Sequence, residues 1–215
     1  MRRFLPLAAC LPLVLAPLPA SAHPHVFVTM QTEILYDDAK NLTGFKQKWT
    51  FDELYSSFAV QGLDKDGDAK FSREELQPLA DVNVQSLSEF GYFTFPALGE
   101  QKLEIQQPKD YWNEVNPDGT VTLYFTSLLV KPVSAAELKA FSFSIYDPTV
   151  YVSFSFTDIQ PVKQTGAPPA CVPKLKAPKP APAATTLGEA FFSNLDATST
   201  YGAQFAQTVV IECGS

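Results

Sequence analysis

The side chains of this sequence that are best suited to hold a metal ion fall into two short segments. The first contains the only two histidines, His23 and His25, which are separated by Pro24. Imidazole nitrogens are good ligands for zinc, copper and nickel. When a histidine is the first residue of a chain, its free α-amine and its ring can hold one ion together. The segment therefore predicts a transition-metal site, provided that the mature chain begins at His23.

The residues before His23 have the order of a secretory signal. Two arginines are followed by an apolar stretch rich in Leu, Ala and Pro, and three small residues end the segment at Ala22. This order predicts export to the periplasm and cleavage after Ala22. The alternative is a lipoprotein cleavage box at 7–10, which leaves almost no apolar region before Cys10. Removing 1–22 from the 215 residues leaves a mature chain of 193.

Pro24 restricts how the first segment can bind an ion. The square-planar copper and nickel mode of amino-terminal sites uses deprotonated backbone amides, and the Pro24 nitrogen has no proton to lose. The α-amine, His23 and His25 remain as ligands. Asp52 and Glu53 are candidate donors from elsewhere in the chain, although Glu53 is more simply part of a helix cap. The alternative is a loose terminus whose histidines are incidental.

The second segment is a run of twelve residues, 64–75, that is dense in acidic side chains. Its spacing matches the calcium loop of an EF-hand, which supplies oxygens from positions 1, 3, 5, 7, 9 and 12. The residues at these positions are Asp64, Asp66, Asp68, Lys70 through its carbonyl, Ser72 and Glu75. Ala69 stands at the sixth position, where glycine normally takes a positive φ, and a Cβ there costs about 1 kcal/mol. The sequence predicts a calcium site, and the alternative is a solvated acidic turn.

The rest of the chain predicts the elements that position these segments. Period-two alternation of apolar and polar residues, typical of half-buried strands, runs through 120–126 and 141–156. Because Asp147-Pro148-Thr149 interrupts the second stretch, we interpret 141–156 as a β-hairpin. Further strands are predicted at 25–36, 42–49, 102–107 and near both mature cysteines.

Helical spacing of apolar residues is concentrated in 50–90. One set follows Thr50 and Glu53, which form a capping-box pattern, and a second set follows the equivalent pair Ser72 and Glu75. The two sets flank the acidic run. We therefore predict an EF-hand-like arrangement of helix, loop and helix.

Composition divides the remaining chain. From 161 to 185, Pro, Ala and Lys dominate, which predicts an extended, semi-rigid linker. A short helix and a last strand are expected within 186–215. The predicted fold class is α+β: a β-rich domain over 23–160, with sandwich-like antiparallel sheets and the helix-loop-helix insert at 50–90, followed by the linker and the C-terminal segment.

Cys171 and Cys213 are the two cysteines that remain after cleavage. In an exported protein two cysteines most simply form a disulfide, and closing a loop of this length adds about 3–4 kcal/mol of stability. Two buried thiols are the alternative. If the cysteines pair, no Cys-His or Ser-His-Asp set can be assembled, and we do not expect enzyme activity.

The charge of the mature chain limits its partners. The signal carries two arginines and no acid, so 14 basic and 23 acidic residues remain, a net charge of −9. We do not expect nucleic acid as a partner because binding it requires a basic face. No mature segment has the length and apolar character of a membrane span.

Five motifs in this order carry a resemblance to a known family: His23-Pro24-His25-Val26-Phe27-Val28, Trp49-Thr50-Phe51-Asp52-Glu53, Gly62-Leu63-Asp64-Lys65-Asp66-Gly67-Asp68, Tyr92-Phe93-Thr94-Phe95 and Tyr146-Asp147-Pro148-Thr149. The chain resembles periplasmic proteins described as the periplasmic component of a transport system, whose genes often occur beside nickel/cobalt efflux permeases. The resemblance spans the mature chain and implies a role in metal homeostasis. In the family pattern an aspartate stands where this chain has Thr29, and a glycine stands where it has Ala69.

Together these observations predict a periplasmic accessory protein that captures, buffers or delivers a divalent transition metal ion for an inner-membrane metal permease. His23 and His25 would bind Ni²⁺, Co²⁺, Zn²⁺ or Cu²⁺, and Ca²⁺ would be structural. The alternative is a protein-interaction module, stabilised by calcium and the disulfide, with no transition-metal role. Copper-dependent oxidation through an amino-terminal histidine brace is disfavoured, because only His25 could supply the second imidazole.

Overall fold

The computed structural model describes residues 24–178 and 189–214. The predicted signal segment and His23 therefore lie outside the described residues. The strands are, in chain order, β1 (Val26–Tyr36), β2 (Leu42–Phe51), β3 (Thr94–Leu98), β4 (Gln101–Lys102), β5 (Tyr111–Val115), β6 (Val121–Val133), β7 (Phe141–Ile145), β8 (Val152–Phe156), β9 (Val162–Thr165), β10 (Cys171–Lys176) and β11 (Thr208–Cys213).

These strands form two sheets. The first sheet has the order β5-β6-β2-β1-β8, and β9 also pairs with β1. The second has the order β10-β11-β7-β3-β4. Pairing is antiparallel except that β1 runs parallel to β8 and β9. The predicted α+β class, with two mostly antiparallel sheets, is confirmed.

The two sheets pack face to face around an aromatic core. Alternate residues of β1 and β2 are buried, as the period-two pattern requires. Phe45 of β2 contacts Phe143 of β7 across the interface, with ring centroids 4.8 Å apart. Trp49 lies edge-on to Phe125 and Phe154 of its own sheet, at 4.7 and 4.8 Å. This core fixes β1, and with it the direction in which the amino terminus leaves the sheet.

The hairpin predicted at 141–156 is wrong. β7 pairs with β3 and β11 in the second sheet, whereas β8 lies beside β1 in the first. Between them the buried Asp147 carboxylate accepts hydrogen bonds from the backbone N–H groups of Thr149 and Val152, which turns the chain from one sheet to the other. Alternation does not distinguish a hairpin within one sheet from two strands in facing sheets, because in both cases each strand presents an apolar face to the same core.

The linker predicted at 161–185 is wrong for its first part, which contains β9 and β10. β10 is an edge strand paired only with β11, so its sheet tolerates Pro173, which has no N–H to donate. Its lysines Lys174 and Lys176 are exposed, whereas Cys171 is buried. The predicted disulfide between Cys171 and Cys213 is confirmed and joins β10 to β11. Residues 179–188 are outside the described part of the chain.

Two helices lie between β2 and β3: α1 (Glu53–Ala59) and α2 (Arg73–Leu87). The expected cap of α1 by Thr50 and Glu53 is wrong, because the N-cap is Asp52. Thr50 instead belongs to β2, where its hydroxyl meets that of Thr122 at 2.9 Å. The capping box of α2, formed by Ser72 and Glu75, is confirmed.

The shorter elements also differ from the prediction. The strand expected at 102–107 is reduced to the two residues of β4 and one bridge between Ile105 and Leu129. In the C-terminal segment, α3 (Glu189–Phe192) is followed by a 3₁₀ turn at Tyr201–Phe205 and by β11. Within the described ranges, no helix combines the length and the apolar character needed to cross a membrane.

Candidate metal centres

The acidic loop between α1 and α2 gathers three carboxylates. Asp64, Asp66 and Asp68 each bring a carboxylate oxygen to within 4.8 Å of the others. Asp64 lies at the centre of this arrangement. Its Oδ1 accepts a hydrogen bond from the Gly67 N–H at 2.8 Å, and its Oδ2 accepts one from the Ala69 N–H at 3.1 Å. The loop therefore curls around its first acidic residue.

The backbone makes this curl with two residues in the left-handed region. Gly67 has φ +76° and Ala69 has φ +62°. The positive φ expected at the sixth loop position is thus present, although Ala69 carries a Cβ that disfavours it. The strain occurs in the segment that brings the three carboxylates together.

Glu75 closes the loop from its far end. Its Oε1 accepts a hydrogen bond from the Lys65 N–H at 2.7 Å, and its Oε2 accepts from the Ser72 N–H and hydroxyl, both at 2.9 Å. The side chain is only 9% exposed. These bonds, from the Ser72 backbone first and then from Lys65, lower the pKa of Glu75 to about 2. Glu75 is therefore ionised and spans the loop from its second residue to its ninth.

Oxygen donors dominate this arrangement, and they suit a hard cation. Converging carboxylates repel one another, and a divalent ion removes that repulsion. Positions 1, 3, 5 and 12 of the predicted calcium loop carry ionisable carboxylates, and Ser72 at position 9 exchanges hydrogen bonds with Glu75. These oxygen donors favour a hard cation such as calcium over the softer transition metals, which prefer nitrogen or sulfur ligands.

At the other candidate centre, the residue just before β8 anchors the amino terminus. The backbone N–H groups of His25 and Val26 donate to the Tyr151 carbonyl at 2.9 and 3.2 Å. The His25 ring lies against the Tyr151 ring, with centroids 4.7 Å apart. His25 is exposed on the outer side of β1. The parallel pairing of β1 with β8 therefore determines the position of a metal ion bound by His25.

Asp52, one of the two candidate donors for this site, has a structural role. Its Oδ2 accepts from the Phe27 N–H at 2.8 Å, and its Oδ1 accepts from the Tyr55 N–H at 2.9 Å. The carboxylate thus joins the start of β1 to the start of α1. Among the described residues, the three aspartates of the acidic loop form the one group of three or more ligating side chains, and neither His25 nor Asp52 is part of it.

Sequence reasoning missed a cavity of about 290 Å³ beside the amino terminus. Pro24 lines one side of it, and the C-terminal segment lines another through Phe192, Tyr201 and Phe205. Position 202 in the lining requires glycine, because a Cβ there would lie 2.0 Å from the Asp147 carbonyl oxygen. The concentration of aromatic residues after 189 was the available signal, since a solvated tail rarely carries so many.

The family model described as "Protein of unknown function (DUF1007)" matches residues 8–213. The chain belongs to this family. It is 29% identical over 199 residues to an "Uncharacterized protein" of Haemophilus influenzae, a match that covers 89% of this chain and 91% of the relative. It is 32% identical over 103 residues to the "Uncharacterized 15.5 kDa protein in trpE 3'region" of Spirochaeta aurantia, covering 48% of this chain and 71% of the relative.

Among solved structures, the acetylcholine-binding protein type 1 of Biomphalaria glabrata aligns with 95% of this chain and 93% of its own. The identity is 13% and the TM-score is 0.39. A TM-score of this size does not establish a common fold.

Proposed function

We propose that this protein is a periplasmic accessory protein that binds two kinds of divalent ion. Loop 64–75 holds one structural Ca²⁺. The mature amino terminus binds one transition metal ion through His23 and His25, for exchange with a metal permease of the inner membrane. The observation that carries the proposal is the acidic loop, where three carboxylates lie within 4.8 Å of one another and a fourth, Glu75, belongs to the capping box of the helix that follows.

The donors of the loop fit calcium in number and type. Calcium takes 6–8 oxygen ligands at about 2.3–2.6 Å. Asp64, Asp66, Asp68 and Glu75 would hold the ion, with the Lys70 carbonyl and Ser72 at the remaining positions. The ion would neutralise a cluster of negative charge and tie α1 to α2. Its role is structural, because a single loop lacks the paired partner of a calcium sensor.

The amino-terminal site is supported by its anchoring. Pro24 and His25 lead directly into β1, and the Tyr151 carbonyl accepts from the N–H groups of His25 and of Val26, the first residue of the strand. The α-amine and ring of His23, with the ring of His25, would take Cu²⁺, Ni²⁺, Co²⁺ or Zn²⁺, and intrinsic affinity favours copper. The proposal assigns the protein capture, buffering or delivery of the ion and no catalytic step.

Thermal melting tests the calcium part. Ca²⁺ should raise the melting temperature of the chain beginning at His23, because a ligand that binds only the folded state stabilises it by mass action. A chelator should reverse the rise. Asp196→Asn, a control for loss of a carboxylate outside the loop, should respond to calcium as the parent does. Asp196 accepts from the Thr198 N–H and hydroxyl in a similar local turn, away from the three clustered carboxylates. If neither calcium nor the chelator changes the melting temperature, the loop is a solvated acidic turn that binds no calcium.

Two versions of the chain test the transition-metal part. Both begin at His23, and one of them has its α-amine acetylated. Acetylation removes the amine as a ligand, so Ni²⁺ and Cu²⁺ should bind the acetylated version much more weakly in calorimetry. Equal affinities would rule out the amino-terminal site while leaving the calcium result intact.

A specific observation favours the interaction-module alternative. Leu54 and Phe58, one turn apart on α1, are 78% and 74% exposed. Large apolar side chains this open commonly mark contact surfaces. Under this alternative, Leu54→Ser with Phe58→Ser abolishes the protein's role in the cell while metal binding by the purified chain is unchanged. Loss of the cellular role on deletion of His23 alone would instead favour the metal-binding function.

A further inference from the structure

We propose that the outer face of the first sheet, the side turned away from the second sheet, is the interface of a homodimer related by a two-fold axis. The face is divided along the strands into an acidic half, a middle row and a basic half. The three parts occupy consecutive positions of the same strands, so they form one continuous surface.

The acidic half lies where β1 begins. A shallow depression of about 580 Å³ there is lined by the carboxylates Asp52, Glu53 and Asp118 and by no lysine or arginine. Phe27 and Leu54 also line it and are 54% and 78% exposed. This half combines negative charge with apolar side chains open to solvent.

The basic half lies two to three residue pairs further along the same strands. A second depression of about 190 Å³ is lined by Lys46, Lys48 and Lys163, together with Trp112 and Tyr124. The two aromatic rings stack, with centroids 4.9 Å apart and planes 10° from parallel. The Lys48 ammonium lies 5.9 Å from the Tyr124 centroid. Glu33 is a cross-strand neighbour of both Lys46 and Lys163, and the three lysines leave this half with a positive balance.

A row of small polar residues separates the halves. Thr29 pairs with Thr50 and with Ser155, and Thr50 pairs with Thr122. Thr122 is fully buried, so Thr29, Thr50 and Ser155 form the accessible part of this row, and their short side chains leave it low. A second sheet could approach closely there, over β1, β2 and β8. Glu114, the neighbour of Thr122 on β5, is exposed at the end of the row.

The arrangement is self-complementary. An isologous interface places one patch against its own copy, so a two-fold axis along the threonine row puts each acidic half on the basic half of the other copy. Phe27 would then lie over β1 of the other copy, close to its Gln31, because rotation about the row keeps each strand opposite its own copy. The processed chain carries a net charge of −9, which repels copies in most other orientations. The basic half is therefore the surface to which a second copy is attracted.

The size of the face sets the expected strength. It spans about 20 Å along the strands and about 20 Å across them, which is small for a stable protein–protein interface. The dimer should therefore form only at high protein concentration. Because opposed charges hold it, it should dissociate as the Debye length falls from about 10 Å at 0.1 M salt to about 3 Å at 1 M.

Sedimentation velocity of the processed chain over a concentration series, at low and high salt, tests the proposal. Lys46→Glu with Lys48→Glu makes both halves acidic, and Glu53→Lys with Asp118→Lys makes the first half basic. Each double variant should raise the dimer dissociation constant by at least about tenfold. An equimolar mixture of the two should form a heterodimer, because one face is then largely acidic and the other largely basic. Lys102→Glu with Lys139→Glu is the control, with the same charge change at exposed sites outside this face.

The expected result is a salt-sensitive dimer in the parent and the control, monomers in each double variant, and restored association in the mixture. A parent that stays monomeric at the highest concentration in low salt overturns the proposal, even if it binds anionic vesicles or a basic peptide. A dimer that Lys46→Glu with Lys48→Glu leaves unchanged also overturns it, because another surface then carries the contact. Restored association in the mixture excludes misfolding as the cause of either loss.

Discussion

The acidic loop and the amino terminus differ in where their structural support comes from. In the loop, each carboxylate accepts hydrogen bonds from backbone groups within ten residues of itself, and Glu75 makes the longest of these contacts, to Lys65. At the amino terminus, the support for His25 comes from Tyr151, more than a hundred residues away in sequence. The loop is organised by its own twelve residues, whereas the terminus is organised by the sheet.

This difference explains what each region can bind and how each responds to change. A self-contained loop with several charged oxygens loses most of its affinity when one ligand at its end is removed. A terminus held by strand pairing keeps its position when a side chain is changed and loses only that side chain's contribution. The following predictions test the contrast, from the largest effect to the smallest.

Glu75→Gln should have the largest effect, because Glu75 is both the last ligand of the proposed calcium loop and the group that closes it. Removing its charge should lower the calcium affinity by about a hundredfold, as measured by calorimetry. Nickel binding at the amino terminus should be unaffected. If calcium binds the variant as it binds the parent, the loop does not close through Glu75.

His25→Ala should have a smaller effect, confined to the other region. Loss of one imidazole should weaken transition-metal binding by about tenfold, while the α-amine and His23 remain. Thr29→Ala, on the same side of β1, should leave the affinity unchanged. Because β1 is held by backbone pairing, circular dichroism of both variants should match the parent. Unchanged nickel affinity in His25→Ala would show that His25 is not a ligand of the ion.

Ala69→Gly should tighten calcium binding by about fivefold, because glycine takes a positive φ without the cost that Ala69 incurs. The paired variant Gly67→Ala should do the opposite. Its new Cβ would meet nothing within 4 Å, so backbone strain at φ +76° is the only cost. Shifts of the same sign in the two variants would contradict the strain argument.

The smallest effect concerns pH. The pKa of Glu75 is lowered from 4.5 to about 2, so the unfolded chain takes up a proton at this residue before the folded chain does. Its contribution to stability is present above about pH 4.5 and is lost as the pH falls toward 2. Urea unfolding of the metal-free chain should show this loss in the parent and in His25→Ala, but not in Glu75→Gln. If the free energy of unfolding changes with pH in the same way for all three chains, the hydrogen bonds to the Glu75 carboxylate do not stabilise the folded state.

Local patterns in the sequence predicted much of the fold. β1, β2 and β11 lie where the sequence predicted strands, and the capping box of α2 is formed by Ser72 and Glu75 as expected. Each of these features depends on residues within one element or one turn. Their periodicity or capping chemistry is therefore complete in the local sequence.

The predictions that failed depended on partners distant in sequence. Alternation in 141–156 marked two strands but could not show that they join different sheets. The composition of 161–185 indicated a linker, but the pairing of β10 with β11 turned part of it into an edge strand. Asp52 replaced Thr50 as the cap of α1 because β2 continues further and takes Thr50 into the sheet. Pairing across the sheets decided each case.

A few residues, read in order, were enough to predict the acidic loop, the family and the pairing of the two mature cysteines. Only the tertiary structure placed His25 against Tyr151, formed the cavity beside Pro24 and divided the outer face of the first sheet into acidic and basic halves. These arrangements join residues far apart in the chain. Strand register decides which of them become neighbours, and register is set when the apolar faces of the two sheets are buried against each other.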